Sequence, residues 1–120
     1  MTPRIERDVT VSWRHRVLFT QNIFDAENTV LRDTLADDPA GGPRKVLLVL
    51  DEALTKARPT LAREIEIYFK THSDVLNLVC APFVMEGGER TKNSYFHVSE
   101  VHSQVDRFHI DRHSYLICVG

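Results

Sequence analysis

Residues 45–51 read KVLLVLD, and this stretch decides the fold class that the sequence predicts. Its middle, residues 46–50, is continuously apolar and ends at the acid Asp51. A strand with one solvent face would alternate apolar and polar residues, whereas a continuous run is typical of a parallel strand covered on both faces. The stretch therefore predicts a buried strand of a parallel sheet.

Downstream, apolar patterns of helix and strand length alternate. Pro59 suits the first turn of a helix. Apolar and aromatic residues then recur on one helical face, at Leu61, Ile65, Tyr68, Phe69 and His72. Residues 74–84 and 114–120 are further strands, separated by a helix that repeats Val98, Val101, Val105 and Phe108. The order β-α-β-α-β predicts a Rossmann-like α/β fold, a parallel sheet with right-handed crossovers and flanking helices.

Upstream, residues 8–20 predict an N-terminal β-hairpin. Val9, Val11 and Trp13 alternate as in a strand, residues 14–16 (RHR) form the turn, and residues 17–19 begin a second apolar run. Asp25 is the expected N-cap of a short helix. Residues 36–45, rich in proline and glycine, are the loop that leads to the parallel sheet.

Composition excludes several classes of function. The chain has 120 residues, the size of one small domain, and a formal net charge of −2 with scattered basic residues, so we expect no nucleic-acid partner. No stretch approaches the roughly 20 apolar residues of a membrane span, and residues 1–10 lack the apolar core of a secretory signal. We therefore expect a cytoplasmic protein in which Cys80 and Cys118 are reduced core residues.

The candidate site residues lie at the predicted carboxyl ends of the strands, where open α/β sheets bind ligands. Asp51 ends the first strand, and there it could accept hydrogen bonds from ribose hydroxyls or serve as a helix N-cap. Residues 85–93, MEGGERTKN, follow the second strand, and Gly120 ends the third.

Within MEGGERTKN, two glycines would let the backbone approach a ligand closely. Lys92 would attract phosphate, together with a helix beginning near Asn93, and Glu89 would accept from hydroxyls. The alternative is a polar turn in which Glu89 and Lys92 only pair with each other in solvent.

The histidines give no metal site. His97 and His102 are five residues apart and lie on different helix faces, while His109 and His113 lack a third ligand. No Ser-His-Asp or Cys-His pattern indicates a nucleophile, so we name no catalytic residue.

Three motifs in order, VLLVLDEAL (46–54), GGERTKN (87–93) and HIDRHSYLICVG (109–120), resemble the N-terminal domain of the 3-dehydroquinate synthase family, the sugar phosphate cyclases. The likeness is greatest to the 3-dehydroquinate synthase-like branch and spans essentially the whole chain. It implies that Asp51 meets the adenosine ribose of NAD, that Gly87 and Gly88 allow close backbone approach, and that Glu89 and Lys92 contact the nicotinamide-ribose side. Gly120 matches the first glycine of a triple-glycine turn that receives the pyrophosphate. Ala53 departs from the family, which often has asparagine there.

The resemblance also implies a reaction. Such enzymes are carbon-oxygen lyases that oxidise a sugar phosphate transiently with NAD, eliminate phosphate and close a carbocycle, assisted by zinc or a similar divalent metal. The metal ligands and most substrate contacts belong to a helical C-terminal domain. We therefore expect residues 1–120 to be an incomplete NAD-binding domain, inactive alone, from an enzyme that forms homodimers.

Two alternatives stay open. A receiver-like phosphoacceptor module would use Asp51 as its phosphorylation site, but it needs an acidic pair after its first strand, and Asp37 and Asp38 precede a strand. Metal-dependent polyol dehydrogenases share the expected architecture, and GGERTK favours the cyclases over them.

Overall fold

The computed structural model describes residues 2–36 and 42–120 and shows an α/β arrangement, a small open sheet with flanking helices. The helices are α1 (Val30–Leu35), α2 (Glu52–Ala57), α3 (Leu61–Thr71), α4 (Glu89–Lys92) and α5 (Tyr95–Arg107). The strands are β1 (Arg44–Asp51), β2 (Leu76–Leu78), β3 (Phe83–Met85) and β4 (Tyr115–Val119).

Strand β1 is the centre of the sheet, and it pairs in parallel with each of the other strands. Val46 lies opposite both Leu78 of β2 and Tyr115 of β4, so these two strands occupy opposite edges of β1. Strand β3 also lies on the opposite side of β1 from β4, so β2 and β3 pair with the same edge of β1. The order is β2 and β3, then β1, then β4, which confirms the predicted parallel sheet.

The strand predicted over residues 74–84 is interrupted. Val46 pairs with Leu78 and Val49 with Phe83, so residues 79–82 stand opposite only residues 47–48 of β1. Pro82 lies in the interruption and has no N–H to donate to a strand ladder. The edge strand consequently consists of two pieces, and the second piece ends beside the end of β1.

The core lies on one face of the sheet, between β1 and α3. Alternate β1 side chains, Val46, Leu48 and Leu50, are fully or almost fully buried there. The helical face predicted for α3 is confirmed, since all its members are buried: Leu61, Ile65, Tyr68, Phe69 and His72. The helix begins at Leu61, so Pro59 lies just before its N-cap Thr60 rather than in its first turn.

The second face of the sheet is less well covered. Leu47 of β1 is buried there, but Leu116 and Cys118 of β4 are exposed, because they alternate with the core-facing residues of that strand. The expectation that Cys118 is a core cysteine is therefore wrong, and Cys80 is only half-buried. Helix α5 has no buried residue, so its predicted apolar stripe is at most half-buried.

The predicted N-terminal β-hairpin is wrong. Residues 2–20 form no helix or strand, and each of them is exposed. A two-stranded hairpin is marginal unless its apolar face packs on something, and the apolar side chains of residues 8–20 reach no core. The Asp25 cap is also wrong, because its Oδ1 accepts from Glu27 N in a turn and α1 begins only at Val30. Asp37 and Asp38 lie outside the described residues.

Candidate functional site

The carboxyl ends of three strands meet at one edge of the sheet. Asp51 at the end of β1 lies opposite Met85 of β3, and Leu50 lies opposite Val119 of β4. The chain runs from β1 to one side of the sheet, through β2 and β3, and then crosses to the other side for β4. This reversal is a topological switch point, the place where open α/β sheets form ligand crevices.

A cavity of about 230 Å³ opens at this point. Its lining comes from the ends of the three strands: Val49, Asp51, Met85, Glu86, Gly87, Cys118, Val119 and Gly120. Pockets that enclose drug-sized ligands measure roughly 300–1,000 Å³, so this cavity is too small for a whole dinucleotide. Larger cavities, of about 380 and 450 Å³, lie beside α3, and their lining does not include the ends of β1, β3 or β4. We select the smaller cavity for its position at the switch point.

Asp51 is the N-cap of α2 and also one of the residues that line the cavity. Its Oδ1 accepts a hydrogen bond from Ala53 N at 3.1 Å and so caps α2. The same half-buried side chain lines the cavity. Among the described residues none donates to Oδ2, which leaves that oxygen available to a ligand hydroxyl.

Gly87 and Gly120 lie against Asp51. A Cβ added at Gly87 would stand 2.9 Å from Asp51 Oδ1, and one at Gly120 would stand 3.4 Å from Asp51 Cβ. Gly88 differs, because its φ of 94° and ψ of −175° belong to a region that only glycine adopts readily. The sequence-predicted residues Asp51, Gly87 and Gly120 are therefore brought together, and Gly88 shapes the turn beside them.

Glu89 and Lys92 are not brought to this cavity. They form α4, a single turn, and Lys92 Nζ contacts Glu89 Oε1 at 2.7 Å with both side chains exposed. This is the solvent ion pair that the sequence left open as an alternative. The following helix begins at Tyr95 rather than near Asn93, with Ser94 as its cap, and neither α4 nor α5 lines the cavity.

The DRHSY segment lies at the other end of the sheet. Ser114 Oγ and His113 N both donate to Asp111 Oδ1 at 2.9 Å, and these bonds lower the pKa of Asp111. Arg44 Nη1 donates to His113 O at 3.1 Å, which ties this turn to the start of β1. The segment therefore positions β4 and makes no contact with the cavity.

Sequence reasoning did not single out Glu86 or Cys118 as cavity residues. Glu86 is the first residue after β3, so its place at a strand end was a usable signal. Cys118 was assigned to the core because it lies in an apolar run. Which face of an edge strand is covered depends on packing that the run itself does not encode.

In residues 2–36 and 42–120, no three His, Cys, Asp or Glu side chains form a group that could hold a metal ion. Over the same ranges, no helix has the length and apolar character needed to cross a membrane. In comparisons with known proteins, no family model matches the chain, and no curated protein or solved structure matches it.

Proposed function

We propose that this chain is the NAD-binding portion of a sugar phosphate cyclase of the 3-dehydroquinate synthase-like kind. One observation carries the proposal: Asp51, Gly87 and Gly120, from three separate motifs, converge on one cavity at the switch point of a parallel sheet. The likeness of these motifs to the family supports it. The Rossmann-like fold, the sugar phosphate substrate and the homodimer belong to the same proposal.

The cavity fits part of NAD. Asp51 Oδ2 would accept from a ribose hydroxyl, while the missing side chain at Gly87 leaves space that a Cβ would fill. NAD, when bound, supplies a hydride acceptor that is reduced and reoxidised within one turnover. This chain's residues would bind and orient the cofactor. No described residue is assigned to the metal, and for Glu89 and Lys92 to contact the cofactor they would have to leave their mutual ion pair.

Calorimetric titration of the chain with NAD tests the proposal. We expect saturable binding that Asp51→Asn weakens about tenfold or more, because hydrogen bonds to a charged group contribute about 1.5–3 kcal/mol. Asparagine still caps a helix, so α2 is preserved and the loss reports on the ligand.

Glu52→Gln is the matched control. Glu52 is adjacent and exposed, contacts Lys56, and does not line the cavity. Its replacement should leave affinity within about twofold, the range of a screened surface charge. No NAD binding by the wild-type chain, or equal losses in the two variants, would overturn the proposal.

A further inference from the structure

We propose that residues 9–19 bind peripherally to the surface of an anionic lipid bilayer. The inference goes beyond the proposed function and does not depend on the NAD site. It rests on a segment that carries arginines and no acid, and whose apolar side chains are exposed to solvent.

Residues 9–19, VTVSWRHRVLF, present a contiguous set of exposed apolar side chains. The segment forms no helix or strand, and none of its residues belongs to the core. Trp13 is 86% exposed and Phe19 is 95% exposed. Single exposed apolar residues are ordinary, but a contiguous set marks a surface that contacts another protein or a membrane. Six apolar side chains in the segment are more than half exposed: Val9, Val11, Trp13, Val17, Leu18 and Phe19.

The apolar and basic side chains of the segment alternate. In an extended chain successive side chains point to opposite sides. Five of the six apolar residues have odd numbers, whereas Arg14 and Arg16 have even numbers. The segment, when extended, therefore has one apolar side and one cationic side. Eleven residues are fewer than the roughly 20 that a membrane-spanning helix needs, so the segment would lie on a bilayer and not cross it.

The distribution of charge selects an anionic partner. All 17 Asp and Glu residues of the chain lie outside residues 9–19, and so do 13 of its 15 Lys and Arg residues. The formal charge is therefore +2 on this segment and −4 on the rest of the chain. Anionic lipid surfaces attract clustered arginines, whereas neutral lipid surfaces do not.

The apolar side chains favour a bilayer over an acidic protein surface, such as that of a second copy. The rest of this same chain is acidic, yet these side chains do not pack against it. Arg16 Nη2 donates to Thr34 O at 3.5 Å, a contact that joins the segment to α1 and leaves Val17 exposed. At a bilayer surface, arginines reach the lipid phosphates, while Trp13 and Phe19 enter the boundary between headgroups and acyl chains.

Vesicle binding tests the proposal, and Trp13 supplies the signal because it is the only tryptophan of the chain. Vesicles of phosphatidylserine and phosphatidylcholine in equal parts should shift its emission to shorter wavelength, since the indole leaves water. Vesicles of phosphatidylcholine alone should bind about tenfold more weakly or less, because the attraction of two arginines is lost. Salt at about 1 M should abolish binding to the anionic vesicles, since it shortens the Debye length to about 3 Å.

Sedimentation with the anionic vesicles compares variants with matched controls. Arg14→Gln should weaken binding about fivefold, the effect of one arginine near an anionic surface. Arg90→Gln removes an arginine that is 86% exposed on α4 and should change binding by less than about twofold. Trp13→Ala should weaken binding about tenfold, because its burial in the bilayer is lost. Tyr95→Ala removes an aromatic ring that is 82% exposed on α5 and should leave binding unchanged.

Each contrary outcome overturns the inference. Equal binding to the two kinds of vesicle, or binding to neither, would show that the segment is not a site for anionic lipid. Equal losses in Arg14→Gln and Arg90→Gln would show that binding follows the charge of the whole chain. A shift of Trp13 emission that grows with protein concentration in the absence of lipid would assign the segment to a second copy. Urea unfolding of each variant should match the wild type, since residues 9–19 lie outside the core.

Discussion

Gly87 is held so close to Asp51 that a methyl group on its Cα would stand 2.9 Å from the Asp51 carboxylate oxygen Oδ1. That carboxylate caps α2, and Asp51 is one of the residues that line the cavity at the strand ends. A side chain at position 87 would therefore disturb the helix cap and the ligand site together.

Gly87→Ala should cost about 1 kcal/mol of stability, because Asp51 must rotate away and the cap of α2 is lost. NAD affinity should fall with it. In an Asp51→Ala background the opposing carboxylate atoms are gone, so Gly87→Ala should then be nearly neutral. Urea unfolding of the four proteins measures this coupling, and additive losses would show that Asp51 is not what opposes the new side chain.

Gly88→Ala makes a matched contrast. A Cβ there meets no atom within 4 Å, yet the backbone at φ 94° and ψ −175° disfavours every residue except glycine. We expect a loss of about 1–3 kcal/mol that Asp51→Ala does not relieve. Relief by Asp51→Ala would contradict the backbone explanation.

The sequence predicted the elements whose patterns are long and strongly periodic. The apolar run of β1 and the spacing of Leu61, Ile65 and Tyr68 on α3 both correspond to buried faces in the structure. The prediction of the hairpin was wrong because the alternation of Val9, Val11 and Trp13 indicates a strand only where one face of that strand packs against a core. The prediction of one continuous strand over residues 74–84 was wrong because Pro82 interrupts the hydrogen-bond ladder. The apolar pattern of these residues does not reveal that interruption.

The position of the site could be predicted only to the extent that the ends of the strands could be predicted. Asp51 and Gly120 follow apolar runs, so their meeting at one edge of a parallel sheet follows from topology alone. The environment of Lys92 was not predictable, because whether a single helical turn faces the cavity or solvent depends on its tilt. Glu86 was hidden between two more conspicuous neighbours, the strand and the glycine pair.

The hydroxyl of Tyr68 links α1 to the core, and removing this hydroxyl should lower the free energy of unfolding. The buried hydroxyl donates to Asn28 O at 2.9 Å and accepts from Arg32 N at 3.2 Å. Tyr68→Phe leaves both backbone groups without this partner, so we expect a loss of about 1–3 kcal/mol in urea unfolding. Tyr95→Phe is the control, because Tyr95 is exposed, and an equal effect of the two changes would contradict the assignment.

The same residue predicts an alkaline limit to stability. Burial raises the pKa of Tyr68 above its ordinary value near 10. The folded state thus holds this proton more tightly than the unfolded state, so the contribution is complete below about pH 10 and is lost as pH rises through the raised pKa. Tyr68→Phe should flatten the stability profile above about pH 10. An unchanged slope would show that other groups dominate.

The two cysteines should differ in reactivity, and the difference reports on the cavity. Cys118 is exposed and lines the cavity, whereas burial raises the pKa of the Cys80 thiol and so lowers its thiolate fraction. Iodoacetamide at pH 8, followed by mass measurement of the peptides, should label Cys118 first. NAD should slow labelling of Cys118 and leave Cys80 unchanged. Equal protection of both thiols would indicate a global effect of NAD rather than occupancy of the cavity.

Residues 2–14 should be dispensable for the stability of the folded part. All of them are exposed, and Trp13, the chain's single tryptophan, is 86% exposed. Deleting residues 2–14 should change the free energy of unfolding by no more than about 0.5 kcal/mol, the usual limit for surface changes. Phe24→Ala is the contrast, because Phe24 packs edge-on against Tyr68 in the core and its loss should be plainly destabilising.

Trp13 itself provides the check on that deletion. Its fluorescence maximum should match that of free tryptophan in water and should stay unchanged on unfolding in urea, since its indole is already solvated. Measurements at low and high protein concentration complete the test. A shorter-wavelength maximum that moves on unfolding would mean that the segment packs against protein, and dependence of that maximum on concentration would identify the contact as one between chains.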